Sequence, residues 1–262
     1  MAHASRMAAG AGPVTQVPEP VARIDNPDGG SPILLICEHA SRHLPSRYGT
    51  LGLGPAELES HIAWDPGALG VAQGLSRLLD APLIHATVSR LVLDLNRGPS
   101  APDSITSLSE RTTIPGNLDL DPEERTRRVR EVYDAFHGAV DAFTDARRAA
   151  GQVRAVVSIH SFTPVYRDVP RPWEIGLIFD RDERYARSVE AGLRRDAALT
   201  VGMNQPYSPA DRVFHTLERH AERRGLAPLM IEIRNDLIRT EDGQAAWASR
   251  LAPLLREGAR TL

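Results

Sequence analysis

Four apolar runs of the sequence end in, or contain, residues that can do chemistry. They are, in chain order, Glu38 and His39 after ILLIC, Asn96 and Arg97 after LVLDL, His160 and Ser161 after AVVSI, and Glu232 and Arg234 within PLMIEIR. A single histidine after an apolar strand is ambiguous, because a hydrogen-bonded core histidine fits there as well as a metal ligand does. Ligands of open α/β sheets gather at the carboxyl ends of strands, so the shared position of these residues favours one common site.

Two histidines from separate strand ends suit a first-row metal such as zinc. Zinc takes nitrogen and oxygen ligands and keeps one position for water at catalytic sites. The metal lowers the pKa of that water and polarises a carbonyl oxygen, and a nearby carboxylate serves as the general base. His39 and His160 are the two predicted ligands. Glu232 is a candidate for this site, because a carboxylate inside an apolar strand needs a partner and a zinc-bound water would be one; an ion pair with Arg234 is the alternative.

The third ligand is expected to be a carboxylate, and two candidates remain open. Glu38 precedes His39 directly, and adjacent strand residues point to opposite faces unless the chain turns. Asp65 lies in HIAWDPGA, where Asp-Pro-Gly predicts a loop that opens a helix. The alternative role of Asp65 is that of a helix N-cap.

Several cationic residues could bind a substrate carboxylate. Arg97, next to Asn96, offers a planar fork of donors that matches a carboxylate. Its alternative role is a structural salt bridge, for example with Asp94. Arg90 and Arg234 are further candidates of the same kind.

The elements that must position these residues alternate along the chain. Strands are predicted at residues 31–37, 81–88, 90–96, 155–159, 173–180 and 228–234. Helices are predicted at residues 67–80, 121–151, 183–197, 215–225 and 244–258. For the longest helix we expect Asp121 as N-cap, Pro122 as first residue and Gly151 as the stop. The alternation predicts a single α/β domain with a mixed, mostly parallel sheet and helices on both faces.

Composition argues against several classes of protein. The chain has 262 residues, a net charge of -3 and one cysteine, Cys37. It carries no basic block for nucleic acid, no apolar run of membrane-spanning length and no possible internal disulfide. Residues 1–30, rich in Ala, Gly and Pro, are predicted to be a flexible extension before a domain of residues 31–262. The extension lacks the apolar core of a signal peptide, so a cytoplasmic location is expected.

An ordered set of motifs carries a family resemblance. The motifs are CEHASRHLP, HIAWDPGA, VSRLVLDLNRGPS, SIHSFTP, GMNQPYSP and LERHAERRGLAPLMIEIRNDLI, between residues 32 and 238. Together they resemble the N-formylglutamate amidohydrolase family, which is distantly similar to zinc carboxypeptidases and to deacylases of N-acyl amino acids. The resemblance implies a carboxypeptidase-like (phosphorylase/hydrolase-like) fold and a zinc-dependent hydrolase of linear amides.

The resemblance also implies roles for individual residues. His39 and His160 match the zinc histidines of the carboxypeptidases, and Glu232 matches their general base. One departure concerns the carboxypeptidase zinc glutamate, whose position is taken here by Arg42. The third zinc ligand must therefore come from elsewhere, and the family tends to carry an aspartate where Asp65 stands.

On the substrate side, the resemblance points to further residues. The pair Asn96–Arg97 is similar to the asparagine–arginine pair that holds a substrate carboxylate. His220 and Tyr207 match family motifs and are predicted to contact substrate or an oxyanion, with simple packing as the alternative.

The implied reaction is the hydrolysis of N-formyl-L-glutamate to formate and glutamate, a late step in one route of histidine breakdown. The motif CEHAS stands where other members have PHSG. For that reason another N-acyl amino acid or a small amide is an alternative substrate. A small-molecule binding protein that has kept the pocket and lost activity is an alternative from another class. The sequence indicates no oligomeric state.

Overall fold

The computed structural model of this protein describes residues 20–262. Its strands are Ala22–Asp25 (β1), Ile33–Cys37 (β2), Leu83–Ala86 (β3), Leu108–Ser109 (β4), Thr112–Thr113 (β5), Ala155–Phe162 (β6), Val165–Tyr166 (β7), Val169–Pro170 (β8), Ile175–Ile178 (β9), Val201–Met203 (β10) and Ala227–Arg234 (β11). Its α-helices are Pro55–Glu59 (α1), Ala68–Leu79 (α2), Pro122–Arg128 (α3), Ala135–Ala149 (α4), Arg184–Leu193 (α5), His215–His220 (α6) and Glu241–Arg260 (α7).

A seven-stranded mixed sheet organises the domain, in the order β1-β3-β2-β6-β11-β9-β10. The four central strands, from β3 to β11, run parallel. At one edge β1 is antiparallel to β3, and at the other β9 is antiparallel to β11 while β10 runs parallel to β9. Strands β2 and β6 are buried along their whole length, which explains why they appear as continuous apolar runs.

Helices cover both faces of this sheet. Helices α2, α5 and α7 pack on one face, where Val71, Tyr185 and Leu251 join the same apolar core as the sheet residues. Helices α4 and α6 cover the other face through Phe136 and Leu217. The predicted single α/β domain, with a mostly parallel mixed sheet between two helical layers, is confirmed.

The long predicted helix also has the expected ends. The Asp121 carboxylate accepts a hydrogen bond of 2.8 Å from the backbone N–H of Glu123, and Pro122 is the first residue of α3. The π-helical turns of Val129–Asp134 join α3 to α4. Helix α4 ends at Ala149, and Gly151 follows with a φ of 68°. A left-handed residue after the last turn is the usual way for a helix to stop at glycine.

The strand predicted at residues 90–96 does not form. Side chains, rather than a neighbouring strand, satisfy the backbone of this buried segment: Asn117 donates to the carbonyl of Leu91 and Arg128 to the carbonyl of Val92. The Asp94 carboxylate accepts from the backbone N–H of Asn96. The apolar run is therefore buried as a turning loop, a possibility that hydrophobicity alone does not distinguish from a strand.

The N-terminal boundary differs from the prediction as well. Strand β1 pairs with β3, so residues 22–25 belong to the sheet and not to a flexible extension that reaches residue 30. Asn26 donates a hydrogen bond of 3.0 Å to Asp80 and ties the following turn to the end of α2. Residues 1–19 lie outside the described part of the chain. Within residues 20–262, no helix combines the length and apolar character needed to cross a membrane.

Candidate metal centre

The parallel strands bring the predicted chemistry to one edge of the sheet. Strand β2 ends at Cys37, and the turn that follows carries both Glu38 and His39 inward, so both side chains are buried. His160 lies near the end of β6. Glu232 in β11 is its direct partner in the parallel ladder.

Asp65 reaches the same place from the loop before α2. Its backbone N–H donates a hydrogen bond of 2.9 Å to the carbonyl of His39, which fixes the loop against the end of β2. The N-cap of α2 is Gly67, with a φ of 83° and no side-chain cap. A Cβ at Gly67 would lie 2.2 Å from the carbonyl oxygen of Ile238, so glycine is required at this turn. Asp65 is therefore not the helix cap, and its carboxylate is turned toward the two histidines.

His39, Asp65 and His160 form one buried group. One donor atom from each lies within 4.8 Å of the others. Asp65 Oδ2 is 2.8 Å from His160 Nδ1 and 3.4 Å from His39 Nδ1. The imidazole rings meet edge to face with centroids 4.9 Å apart. Two nitrogens and one carboxylate oxygen converge here, a donor set typical of zinc and related first-row metals.

Further carboxylates hold the far side of each imidazole. His39 Nε2 lies 2.7 Å from Asp94 Oδ1, and His160 Nε2 lies 3.1 Å from Glu38 Oε2. Ser158 Oγ donates a 2.7 Å hydrogen bond to the same oxygen of Glu38. Carboxylates behind metal-binding histidines orient the rings and raise their basicity. The geometry thus distinguishes the two candidates: Asp65 faces the inner nitrogens, whereas Glu38 supports His160 from behind.

The charges of the cluster oppose the effect of burial. Burial by itself lowers the pKa of His160, but the charges of Glu38 and Asp65 outweigh it and raise that pKa well above its usual value. Arg90 balances the carboxylates: its guanidinium donates to Asp94 at 2.6 Å and to Asp65 at 3.3 Å.

Glu232 differs from the other carboxylates of the site. It is buried, and its Oε2 has no hydrogen-bond partner among residues 20–262. Burial, reinforced by the charge of Asp65, raises the pKa of Glu232 to about 7. The alternative pairing with Arg234 does not occur, because Arg234 donates to Asp236 at 2.8 Å. A carboxyl group that titrates near neutrality can both accept and release a proton there.

An unpartnered nitrogen of His39 also supports a metal ion at this site. His39 Nδ1 is completely buried and has no hydrogen-bond partner of acceptable geometry within the described chain. An imidazole nitrogen in that condition costs free energy unless something binds it. Since this nitrogen faces Asp65 and His160, a cation held between the three side chains would satisfy it.

Two residues predicted to bind substrate make hydrogen bonds within the protein. Asn96 Oδ1 accepts a 3.1 Å hydrogen bond from the backbone N–H of Thr216, and its amide donates to the carbonyl of Val213. These bonds anchor the start of α6. His220 is fully buried, and its Nε2 lies 2.7 Å from His137 Nδ1. For both residues these contacts favour a positioning or packing role.

The two arginines predicted to bind substrate already have acidic partners. Arg97 lies 3.5 Å from Asp103 and donates to the carbonyl of Asp211, so the predicted alternative pairing with Asp94 is wrong. Asp94 pairs instead with Arg90 and His39. Sequence reasoning missed this role of Asp94, although a carboxylate inside the apolar run LVLDL was a signal of the same kind as Glu232.

This chain is similar to known proteins in sequence and in fold. The sequence matches the family model described as N-formylglutamate amidohydrolase over residues 31–239. The crystal structure of gene product Atu2144 from Agrobacterium tumefaciens is 46% identical in sequence, with a TM-score of 0.90 over 93% of this chain and 96% of that one. The structure of N-formylglutamate amidohydrolase from Ralstonia eutropha JMP134 is 21% identical, with a TM-score of 0.64 over 93% and 98% of the two chains. A comparison with curated proteins finds no match.

The family model covers most of the chain, including every residue of the histidine–carboxylate group and Glu232. The similar structures extend over nearly the whole of both chains, so the likeness is one of complete domains. This protein therefore belongs to the N-formylglutamate amidohydrolase family of hydrolases.

Proposed function

We propose that this protein is a metal-dependent amidohydrolase that converts N-formyl-L-glutamate to formate and glutamate. The observation that carries the proposal is the buried His39–Asp65–His160 group with Glu232 directly across the ladder from His160. Membership of the family supports the formyl amide as the substrate. That substrate would place the reaction in histidine breakdown.

In this proposal His39, Asp65 and His160 hold one divalent metal, with zinc favoured by the donor set. Glu38 and Asp94 keep the two imidazoles oriented. When bound, the metal supplies polarisation of the formyl carbonyl and a lowered pKa for water. Arg90, whose side chain is 27% exposed beside Asp65, is the proposed cationic contact for the substrate on this side.

Glu232 moves the proton. It accepts a proton from the attacking water as the water oxygen bonds to the formyl carbon. The carbon–nitrogen bond then breaks, and Glu232 passes the proton to the departing amine of glutamate. A pKa of about 7 suits both halves of this transfer, because the group is neither too weak a base nor too weak an acid near neutrality.

Formate release by the zinc-loaded protein tests the proposal. Wild-type protein should release formate from N-formylglutamate. Glu232→Gln should lose turnover by about 10³-fold or more while it keeps the metal, since a general base contributes about 10²–10⁴-fold. Glu257→Gln, on the exposed face of α7, is the matched control.

Each contrary outcome points to a different part of the proposal. Full activity of Glu232→Gln would remove Glu232 as the base. A wild-type protein that contains metal but hydrolyses only other members of a panel of N-acyl amino acids would change the substrate. Poor metal occupancy together with no turnover on the whole panel would favour a binding protein.

A further inference from the structure

Arg171 has an unusual environment for a cation. Its guanidinium lies over three aromatic rings, at 4.7 Å from the centroids of Tyr166 and Tyr207 and 5.7 Å from that of Phe162. Its Nη1 donates a 3.0 Å hydrogen bond to the hydroxyl of Tyr207. A guanidinium has five N–H donors, so most of its donors are left for another group.

This cage adjoins the proposed reaction centre. Phe162 lies two residues beyond His160 on β6, so the two side chains are on the same face of the sheet. Gly176 of β9 pairs with Glu232, and a Cβ at Gly176 would collide with the backbone carbonyl of Gln205. The segment that carries Tyr207 therefore crosses the sheet directly beside Glu232. The charge of Glu232 also contributes, after burial, to a raised pKa of Tyr207.

The other arginines near this edge already have acidic partners. Arg90 binds Asp65 and Asp94. The remaining pairs are Arg97 with Asp103 and Arg234 with Asp236. Arg171 has no carboxylate within 4.0 Å in the part of the chain that the structure describes. A half-buried guanidinium that is stacked on aromatic rings, and has spare donors in a fixed fork, matches the two oxygens of a carboxylate.

We propose that Arg171, oriented by Tyr207 and its aromatic cage, binds a carboxylate of the substrate and restricts this enzyme to anionic N-acyl amino acids. The inference rests on the proposed function for the identity of the bond that is cleaved. It assigns recognition of this carboxylate to Arg171, where the sequence pointed to Asn96 and Arg97, with Arg90 and Arg234 as further candidates. Neutral small amides would then be poor substrates.

Kinetics on three substrates test this role. Arg171→Gln should raise KM for N-formylglutamate by about 10- to 100-fold with little change in kcat, as expected for a lost charge-assisted pair that binds substrate and transition state alike. Two further substrates each lack one carboxylate: N-formylglutamine lacks that of the side chain, and the α-amide of N-formylglutamate lacks the α-carboxylate. For the substrate that lacks the carboxylate bound by Arg171, Arg171→Gln should leave KM unchanged. Arg171→Lys, which keeps the charge and loses the fork, should give a smaller rise in KM.

Arg167→Gln is the matched control, because Arg167 is exposed on the same hairpin and stacks on Tyr166, at 5.4 Å. Its KM values should equal those of the wild type. Equal penalties on all three substrates, or none on any, would overturn the role of Arg171. Binding of N-formylglutamate to Glu232→Gln, with and without Arg171→Gln, repeats the comparison without turnover. A wild-type protein that releases no formate would contradict the proposed function and leave this binding comparison to decide the role of Arg171.

Discussion

Two pairs of buried histidines in this protein have opposite surroundings. His39 and His160 are enclosed by carboxylates: Asp65 lies between them, and Asp94 and Glu38 lie behind them. His137 and His220 face one another, with Nδ1 and Nε2 2.7 Å apart and rings stacked at 5.0 Å, and no carboxylate of the described chain lies between them; Asp141 lies behind His220. Burial lowers the pKa of every one of these imidazoles, so the neighbours decide the outcome.

The pKa shifts of the two pairs differ in sign. The pKa of His160 is raised well above 6.5 by its carboxylates, whereas burial and the neighbouring His220 lower the pKa of His137 to about 3. His137 Nε2 donates to the carbonyl of Leu95, which can only accept. His137 Nδ1 must therefore accept from His220 Nε2, so both ring nitrogens of His137 have partners within the protein. Burial alone does not mark a functional histidine; the convergence of two imidazoles on one shared carboxylate does.

The largest expected effect comes from removing a histidine of the first pair. His160→Asn should lose bound metal and lower kcat/KM by about 10³-fold or more, since a metal supplies several kcal/mol of stabilisation to the transition state. Metal analysis of the purified protein and formate release measure the two consequences. His220→Asn should keep a wild-type metal content, because His220 contacts His137 and not the metal group. Equal metal loss in the two variants would erase the distinction between the pairs.

The supporting carboxylates offer a second, smaller contrast. Glu38→Gln removes the charge behind His160 with almost no change in shape. It should weaken metal binding by about 10- to 100-fold, the usual effect of losing such a partner, measured by competition with a chelator. Asp141→Asn is the matched control, because Asp141 Oδ1 lies 3.1 Å from His220 Nδ1 and stands in the same relation to the second pair. An unchanged metal affinity in Glu38→Gln would mean that His160 needs no charged support.

The sequence predicted the sheet and the residues whose positions depend on it. His39 and His160 follow apolar runs and Glu232 lies near the end of one, and adjacent parallel strands bring such positions together whatever the loops do. Asp65 was one of two candidates because its direction depends on a turn at Gly67, and no periodicity encodes that turn. Glu38 could not be placed for the same reason, since strand alternation ends at Cys37.

The errors have a common physical origin. Residues 90–96 were predicted as a strand from their apolar character, but their backbone groups are satisfied by long-range side chains such as Asn117 and Arg128. Arg171 was missed because its significance lies in what surrounds it. The rings that cage it come from β6, from the β7–β8 hairpin and from the loop after β10, and one sequence does not show that these meet.

A third contrast concerns stability rather than metal. His220→Leu leaves His137 Nδ1 buried without a donor, so the free energy of unfolding should fall by about 1–2 kcal/mol. Denaturant unfolding of the metal-free protein measures this change. The variant His137→Leu/His220→Leu should cost less than the sum of the two single variants, with a coupling of about 0.5 kcal/mol or more. Strict additivity would show that the hydrogen bond between the two rings contributes nothing.

The smallest effect is a dependence of stability on pH. The pKa values of His137 and His220 are lowered from 6.5 to about 3 and about 4, so the unfolded chain takes up protons before the folded protein does. The stability that these groups contribute is complete above pH 6.5 and decreases as the pH falls through 6.5 toward those lower values. When the pH is lowered from 7 to 6, each group should reduce the free energy of unfolding by about 0.7 kcal/mol, given a pKa of about 6.5 in the unfolded chain.

His160 acts in the opposite direction, because its raised pKa stabilises the metal-free fold as the pH falls through the same range. In the wild type alone, the opposite contributions of His160 and of the second pair to the free energy of unfolding would therefore partly cancel. The informative quantity is the difference between the wild type and His137→Leu/His220→Leu. When the pH is lowered from 7 to 6, the free energy of unfolding of the wild type minus that of the variant should fall by about 1.4 kcal/mol. Parallel pH profiles would show that the two histidines of the second pair have the same pKa values in the folded and the unfolded protein, and the contrast between the two pairs would then rest on geometry alone.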